Sequence, residues 1–260
     1  MMQYENRIVL FLDILGFQKI IDETVDKLED KQERIEKLYK SLLTIKAEVS
    51  KEKGTSKVVT QFSDSIVVSF KENDSKEFMD FFQSILSLLI KLIKQDIICR
   101  GAISFGKLIH TNDIVFGPAL NDAYLTESTA ALYPRVILDR SIIDNLKFQY
   151  KASTQDMVSR MRFSSGVWST LNVDTDDKLY IDYFTGALSI IHDPSILEYF
   201  KELRKFIIGG QRYVTPSIKI KYGWMKNKFN KFLDDFPSIQ SEYNLNYEYL
   251  NQLGRFEKIK

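Results

Sequence analysis

Side chains that bind soft metals or form cross-links are scarce in this sequence. It contains one cysteine, Cys99, and two histidines, His110 and His192. A single cysteine excludes an intramolecular disulfide and leaves no thiolate cluster for zinc. The two histidines lie too far apart in sequence to form a strong metal motif. This usage favours a cytoplasmic location.

The sequence also lacks an excess of either charge and a long apolar run. Lys and Arg total 36 against 35 for Asp and Glu, so no broad basic field predicts binding to nucleic acid or to anionic lipid. The N-terminal residues are polar and lead into a short apolar strand, which is not the pattern of a signal peptide. The longest apolar stretch, residues 85–93, is interrupted by Ser87 and Lys91. We therefore predict no membrane span.

The spacing of the apolar residues alternates between strand and helix periods. Residues 8–14 are rich in β-branched and aromatic side chains, which predicts a buried central strand ended by Gly16. A two-residue turn at Ser63-Asp64 predicts a β-hairpin. From residue 8 to residue 138 the predicted order is strand, two helices, hairpin, helix, two strands, helix and strand. This order predicts an α+β, ferredoxin-related fold with a mixed or antiparallel sheet and helices packed on one face.

The second half of the chain is more helical. We expect helices around residues 142–150 and 154–163, although mixed polar and apolar residues make this region difficult to assign. Three amphipathic helices are expected after residue 193, each with a proline near its start. We therefore divide the chain into a main domain, residues 1–190, and a C-terminal helical extension, residues 191–260.

Two carboxylates stand inside apolar, strand-forming runs. Asp13 lies near the end of the predicted central strand, and Asp64 lies at the predicted hairpin turn. An unpaired carboxylate in such a setting is costly, although an aspartate at a strand end or turn is often only a local cap. The predicted topology brings both carboxylates to one end of the sheet, with the carbonyl of Ile14 nearby. Such oxygen ligands suit magnesium or manganese bound with substrate phosphates, which predicts phosphoryl or nucleotidyl transfer.

Four motifs resemble those of the class III nucleotidyl cyclases, and they occur in that family's order. They are residues 11–17 (FLDILGF), 62–64 (FSD), 100–106 (RGAISFG) and 116–123 (FGPALNDA). The resemblance covers about the first 140 residues and implies that residues 1–190 form a cyclase catalytic domain.

The resemblance implies a set of site residues and partners. Asp13, Asp64 and the carbonyl of Ile14 would hold two divalent cations, Mn²⁺ or Mg²⁺, and Phe17 would contact the substrate. Asn121 would orient the ribose of a nucleoside triphosphate from the partner subunit of a homodimer whose sites lie at the interface. The 3′-hydroxyl would then attack the α-phosphate and release pyrophosphate.

Other positions depart from the family pattern. Thr60 stands where adenylate cyclases have Lys and guanylate cyclases have Glu, and Pro118 stands where adenylate cyclases often have Asp. Both residues are expected to border the base. Leu125 replaces the arginine that stabilises the transition state, so Arg135, or as a second choice Arg100, is expected to supply the missing guanidinium.

These departures resemble one branch of the family, the pyrimidine cyclases of bacterial Pycsar anti-phage systems. The resemblance extends to residues 133–135 (YPR), 180–184 (YIDYF) and 221–224 (KYGW). It implies conversion of UTP or CTP to cyclic UMP or cyclic CMP, which would activate a separate effector. Two alternatives stay open: a purine cyclase, and a catalytically inactive cyclase-like module that dimerises or binds nucleotide.

Overall fold

The structure is a computed structural model that describes residues 3–27, 29–50, 56–73, 75–144, 166–242 and 247–260. The helix expected at residues 154–163 lies outside these ranges, and so does most of the helix expected at 142–150. The α-helices with both ends among the described residues are α1 (Phe17–Asp22), α2 (Gln32–Val49), α3 (Ser75–Ile93), α4 (Pro118–Ala130), α5 (Ser195–Gly210), α6 (Pro216–Glu242) and α7 (Leu250–Leu253), and a 3₁₀-helix spans Gly186–Ser189.

Eight strands of the described chain form one mixed sheet. They lie in the order β4-β5-β1-β6-β8-β10-β9, with β7 paired to β6. The β6–β8 pair is parallel and the other pairs are antiparallel. The α+β fold class predicted from the sequence is confirmed. The strands are β1 (Glu5–Ile14), β4 (Val58–Phe62), β5 (Ser65–Lys71), β6 (Cys99–His110), β7 (Val115–Phe116), β8 (Val136–Leu138), β9 (Leu171–Val173) and β10 (Leu179–Ile181); β2 (Val25–Asp26) and β3 (Glu29–Asp30) form a separate ribbon.

Strand β1 is central, as its apolar sequence predicts. It pairs with β5 on one side and β6 on the other, and both of its faces are covered over residues 8–10. Its even-numbered side chains, from Ile8 to Ile14, belong to the main core. Val9 belongs to a second, smaller cluster, and Asp13 lies on the same face as Val9 because side chains alternate along a strand.

The helices do not all lie on one face of the sheet, contrary to the sequence-based expectation. The buried side chains of α2 and α3 belong to the main core, whereas Ala119 and Ala123 of α4 pack with Val9 in the smaller cluster. We call the side of the sheet that carries Val9, Asp13 and α4 the α4 face. The small alanine side chains allow α4 to lie close to the sheet, and the site described below lies on this face.

The C-terminal helices share the main core. Phe200 of α5 and Trp224 and Met225 of α6 are buried in the same cluster as the even-numbered side chains of β1. Phe200 stacks on Phe232 of α6 with ring centroids 4.5 Å apart. The division at residue 190 stays a prediction from sequence. Within the described part of the chain, no helix has the combined length and apolar character that a membrane crossing requires.

Candidate active site

The two acids predicted from sequence lie together at one end of the sheet. Asp13 is one residue from the end of β1 and pairs in register with Ser65 of β5. Asp64 lies in the two-residue turn between β4 and β5, where Ser63 adopts a left-handed conformation with φ 53°. The carboxyl groups of Asp13 and Asp64 are close enough to hydrogen-bond to each other. The hairpin therefore brings the second acid to the first.

This proximity changes the chemistry of Asp13. Burial and, after it, the negative charge of Asp64 raise the pKa of Asp13 to about 6, against the opposing positive charge of Arg100. The Asp13 side chain is still 21% exposed, so a ligand can reach it. A carboxyl group that resists ionisation beside a second carboxylate forms a site that a divalent cation stabilises.

The donor set fits a hard cation that keeps part of its hydration shell. Within the ranges that the structure covers, no group of three or more His, Cys, Asp or Glu side chains could hold a metal. The Ile14 side chain is buried in the core, so only its backbone carbonyl is a possible third ligand. Magnesium and manganese accept such a sparse set of oxygen ligands, because water and substrate phosphates complete their coordination.

Arg100 contacts the first of these acids, Asp13. It pairs in register with Asp13 across β1 and β6, and its Nε lies 3.7 Å from Asp13 Oδ2. The same Nε forms an ion pair with Glu127 of α4, whose side chain is almost fully buried. Burial raises the pKa of Glu127, the charge of Arg100 opposes this, and the charge of Asp13 adds to it. Arg100 thus lies between two carboxylates, and sequence analysis did not predict Glu127 as its partner.

Lys221 brings a second cation to the site from the C-terminal helix α6. Burial lowers the pKa of Lys221, the charge of Arg100 lowers it further, and the charge of Asp13 acts in the opposite direction. Lys221 also lines a cavity of about 700 Å³ that extends to Leu15 and Gly16, the two residues after β1. The motif at 221–224 is noted from sequence, but no local pattern assigns Lys221 to this site.

Arg135 does not lie among these residues. Its side chain is fully buried and forms ion pairs with Asp174 and Asp176. Its guanidinium also lies 5.1 Å from the ring centroid of Tyr133. The catalytic role expected for Arg135 therefore has no support in these contacts, which are those of a structural residue. Arg100, the second choice from sequence, has the position that Arg135 was expected to hold.

Asn121 and Leu125 lie on the exposed side of α4. The helix begins at Pro118, directly after Gly117, where an added Cβ would lie 2.7 Å from the carbonyl oxygen of Lys107. Asn121 is exposed, as is Leu125 one turn later, whereas Ala123 packs against the sheet. The Asn121 side chain therefore points away from the sheet that carries Asp13 of its own chain.

Two further predicted substrate residues have different environments. Phe17 is the first residue of α1, and its half-buried ring packs against the main core. Thr60 of β4 is half-buried, and its hydroxyl lies 2.9 Å from His110 Nε2. Sequence analysis gives no role to His110, because its contacts come from strands that are distant in sequence.

Comparisons with known proteins gave matches among solved structures. No protein-family model matches the sequence, and no curated protein matches it. Two structures of a bacterial light-regulated adenylyl cyclase share 16% and 13% identity with this chain over 55% and 70% of its length, with TM-scores of 0.41 and 0.43. The catalytic core of a rhodopsin-guanylyl cyclase with converted specificity, in complex with ATPαS, shares 20% identity over 58%, with a TM-score of 0.40.

The matched regions span 45%, 52% and 83% of those three chains. The chain thus spans about half the length of the two light-regulated adenylyl cyclase structures. Each TM-score is below 0.5, so we base nothing further on these likenesses.

Proposed function

We propose that this protein is a metal-dependent pyrimidine nucleotide cyclase that converts UTP or CTP to the 3′,5′-cyclic monophosphate and pyrophosphate. The observation that carries the proposal is the adjacent pair of carboxylates, Asp13 and Asp64, beside the cations Arg100 and Lys221. In line with the Pycsar resemblance, the cyclic nucleotide would be a second messenger in anti-phage defence and would be read by a separate effector.

The reaction requires that the negative charge of the triphosphate be neutralised and that pyrophosphate then leave. Two divalent cations held by Asp13, Asp64 and the carbonyl of Ile14 would lower the pKa of the ribose 3′-hydroxyl and neutralise the polyphosphate. The 3′-oxygen forms a bond to the α-phosphorus while the bond to the bridging oxygen breaks, and pyrophosphate leaves with that electron pair. The hydroxyl proton passes to solvent. Arg100 and Lys221 would contact the phosphate oxygens, where fixed positive charge favours the transition state.

The active form would be a homodimer with sites at the interface. Asn121 points away from Asp13 of its own chain, so it can orient a ribose only in the site of a second copy. Tyr124 and Leu125 expose apolar surface next to Asn121, with 52% and 55% of each residue accessible. Apolar surface of this kind on α4 suits a contact with another subunit.

A pyrimidine suits the base side of the site better than a purine. Thr60 has a short hydroxyl where a long charged side chain would reach a purine edge, and Pro118 opens α4 without a side-chain donor or acceptor. Both features leave the metal-binding carboxylates in place while changing the residues near the base.

The test is to incubate the purified protein with Mn²⁺ and each of the four ribonucleoside triphosphates, and to identify the products by mass. We expect a cyclic pyrimidine nucleotide and pyrophosphate. Asp13→Asn and Asp64→Asn should abolish the product and also the rise in melting temperature that Mn²⁺ causes. Asp113→Asn, in an exposed loop, is the matched control. A cyclic purine product would overturn the pyrimidine assignment. If none of the four triphosphates gives a product, the proposal that the protein is an enzyme is overturned.

One observation favours a second candidate function. Leu125 is exposed on α4 where the resemblance expects a transition-state arginine. A cyclase-like module that has lost catalysis would dimerise or bind nucleotide without turning it over. Calorimetry with UTP and Mn²⁺ separates the two: binding without any product would favour the module.

A further inference from the structure

A chain of polar side chains crosses the α4 face from β1 to β4. Arg7 Nε donates to Ser69 Oγ at 2.8 Å, Ser69 Oγ lies 2.8 Å from His110 Nδ1, and His110 Nε2 lies 2.9 Å from Thr60 Oγ1. We call Arg7, Ser69, His110 and Thr60 the hydroxyl relay. Its first three residues are buried, with 2%, 0% and 7% of their surfaces exposed, and Thr60 at the end is half-buried.

Burial decides the direction of each hydrogen bond. Arg7 can only donate, and its guanidinium is fixed by Glu5 at 2.7 Å and by the carbonyl of Ser56. If Ser69 Oγ accepted from both Arg7 and His110, its own hydrogen would be buried without an acceptor. Such an unmade bond is costly, so Ser69 donates to His110 Nδ1.

The remaining protons follow from that assignment. Burial, and to a smaller extent the charge of Arg7, lower the pKa of His110 to about 4, so the ring is neutral near pH 7. A neutral imidazole that accepts at Nδ1 carries its hydrogen on Nε2 and donates it to Thr60 Oγ1. The Thr60 hydroxyl hydrogen is then free to point away from the relay. The Thr60 oxygen keeps one lone pair, but its hydrogen has no acceptor among the described contacts, so a ligand that buries Thr60 must accept this hydrogen or leave it unpaired.

The relay ends at a suitable distance from the two acids. Thr60 pairs with Val67, and Val67 pairs with Phe11, which lies two residues before Asp13. Thr60 and Asp13 are thus on the same face, with two strand spacings, about 10 Å, between their strands. This separation suits a nucleotide whose α-phosphate lies at Asp13 and whose base extends toward Thr60.

We propose that the hydroxyl relay fixes Thr60 as a donor to position 4 of the pyrimidine, and so selects UTP over CTP. The inference rests on the proposed function, since it assigns the base of that substrate. Position 4 is the ring position opposite the sugar, and it therefore reaches farthest from the phosphates. Uracil has a carbonyl acceptor there, whereas the amino group of cytosine can only donate and would leave the Thr60 hydroxyl hydrogen without an acceptor. Ser69 and His110 act as positioning residues, because they touch Thr60 or each other and not the base.

The first experiment determines which ring nitrogen of His110 carries hydrogen, and it does not require enzymatic activity. Nitrogen NMR of protein labelled with ¹⁵N-histidine distinguishes the ring nitrogen that bears hydrogen from the one that accepts. The sequence has only two histidines, so the exposed His192 is identified by His192→Gln, which is also the matched control. We expect His110 to carry hydrogen on Nε2 at pH 7. Hydrogen on Nδ1, or a charged ring, would overturn the relay while leaving the cyclase proposal untouched.

The second experiment measures the selectivity of binding between UTP and CTP. We expect UTP to be preferred over CTP by about tenfold to hundredfold, the range for one hydrogen bond gained against one buried donor left unpaired. Binding of both nucleotides is measured by calorimetry with Ca²⁺, so the result does not depend on turnover. Thr60→Val keeps the shape and removes the hydroxyl, and should bring the ratio of binding constants close to one.

The positioning role is tested separately. Ser69→Ala should reduce the preference for UTP without changing the Mn²⁺-induced rise in melting temperature, which reports on Asp13 and Asp64. Thr60→Ser, which keeps the hydroxyl, should retain the preference for UTP. A preference for CTP, or a ratio that Thr60→Val leaves unchanged, would overturn the assignment.

Discussion

Substitution of the buried Arg135 tests whether its role is structural or catalytic. We expect Arg135→Met to destabilise the fold. Burial acts to raise the pKa of Asp174, but hydrogen bonds led by that from Lys228, together with the charge of Arg135, hold it below its usual range. Removing one partner of a buried ion pair costs about 3–5 kcal/mol. Asp174 keeps Lys228 at 2.7 Å and Trp224 Nε1 at 2.8 Å, so we expect the lower end, about 3 kcal/mol. For a domain of this size the melting temperature should fall by about 6–12 °C.

Urea unfolding followed by circular dichroism measures this loss. The double variant Arg135→Met/Asp174→Asn removes the carboxylate charge that the single variant leaves behind, so it should recover part of the stability. Arg255→Met, at an exposed position, is the matched control and should stay within about 0.5 kcal/mol of the wild type. If Arg135→Met were as stable as the wild type but inactive, the structural reasoning would be refuted and the catalytic role expected from sequence would stand.

Three further predictions concern the sheet and the site. Because the pKa of His110 is about 4 in the folded chain and near 6.5 when unfolded, its stability contribution is present above pH 6.5 and is lost as pH falls toward 4. Between pH 7 and pH 5, the free energy of unfolding measured with urea should fall by about 2 kcal/mol more in the wild type than in His110→Gln. Equal falls in the two proteins would contradict this. Gly101→Ala places a Cβ 2.6 Å from the carbonyl oxygen of Phe11 on β1, so the free energy of unfolding should fall by about 1–3 kcal/mol. An unchanged free energy of unfolding would mean that β1 and β6 can move apart without cost. Glu127→Gln leaves Arg100 with Asp13 as its only carboxylate among the described contacts, so the thermal shift caused by Mn²⁺ should shrink, and an unchanged shift would show that Arg100 does not compete with the cation.

The sequence alone determines the local architecture and the placement of the two acids. The apolar run of β1 predicts a central strand, and the two-residue connection at Ser63-Asp64 predicts the hairpin, because both depend on the period and turn chemistry of adjacent residues. Together they place Asp13 and Asp64 at one end of the sheet, where the structure has them. Pro118 likewise marks the start of α4.

Only the tertiary structure decides which cations and hydroxyls join those acids. Arg100 reaches Asp13 through the register between β1 and β6, and Lys221 arrives from a helix near the end of the chain. Arg135 is drawn instead to Asp174. Side-chain partners of this kind depend on how distant segments pack, which no local period encodes. The same is true of His110, which lies within hydrogen-bond distance of Ser69 and Thr60 on two other strands.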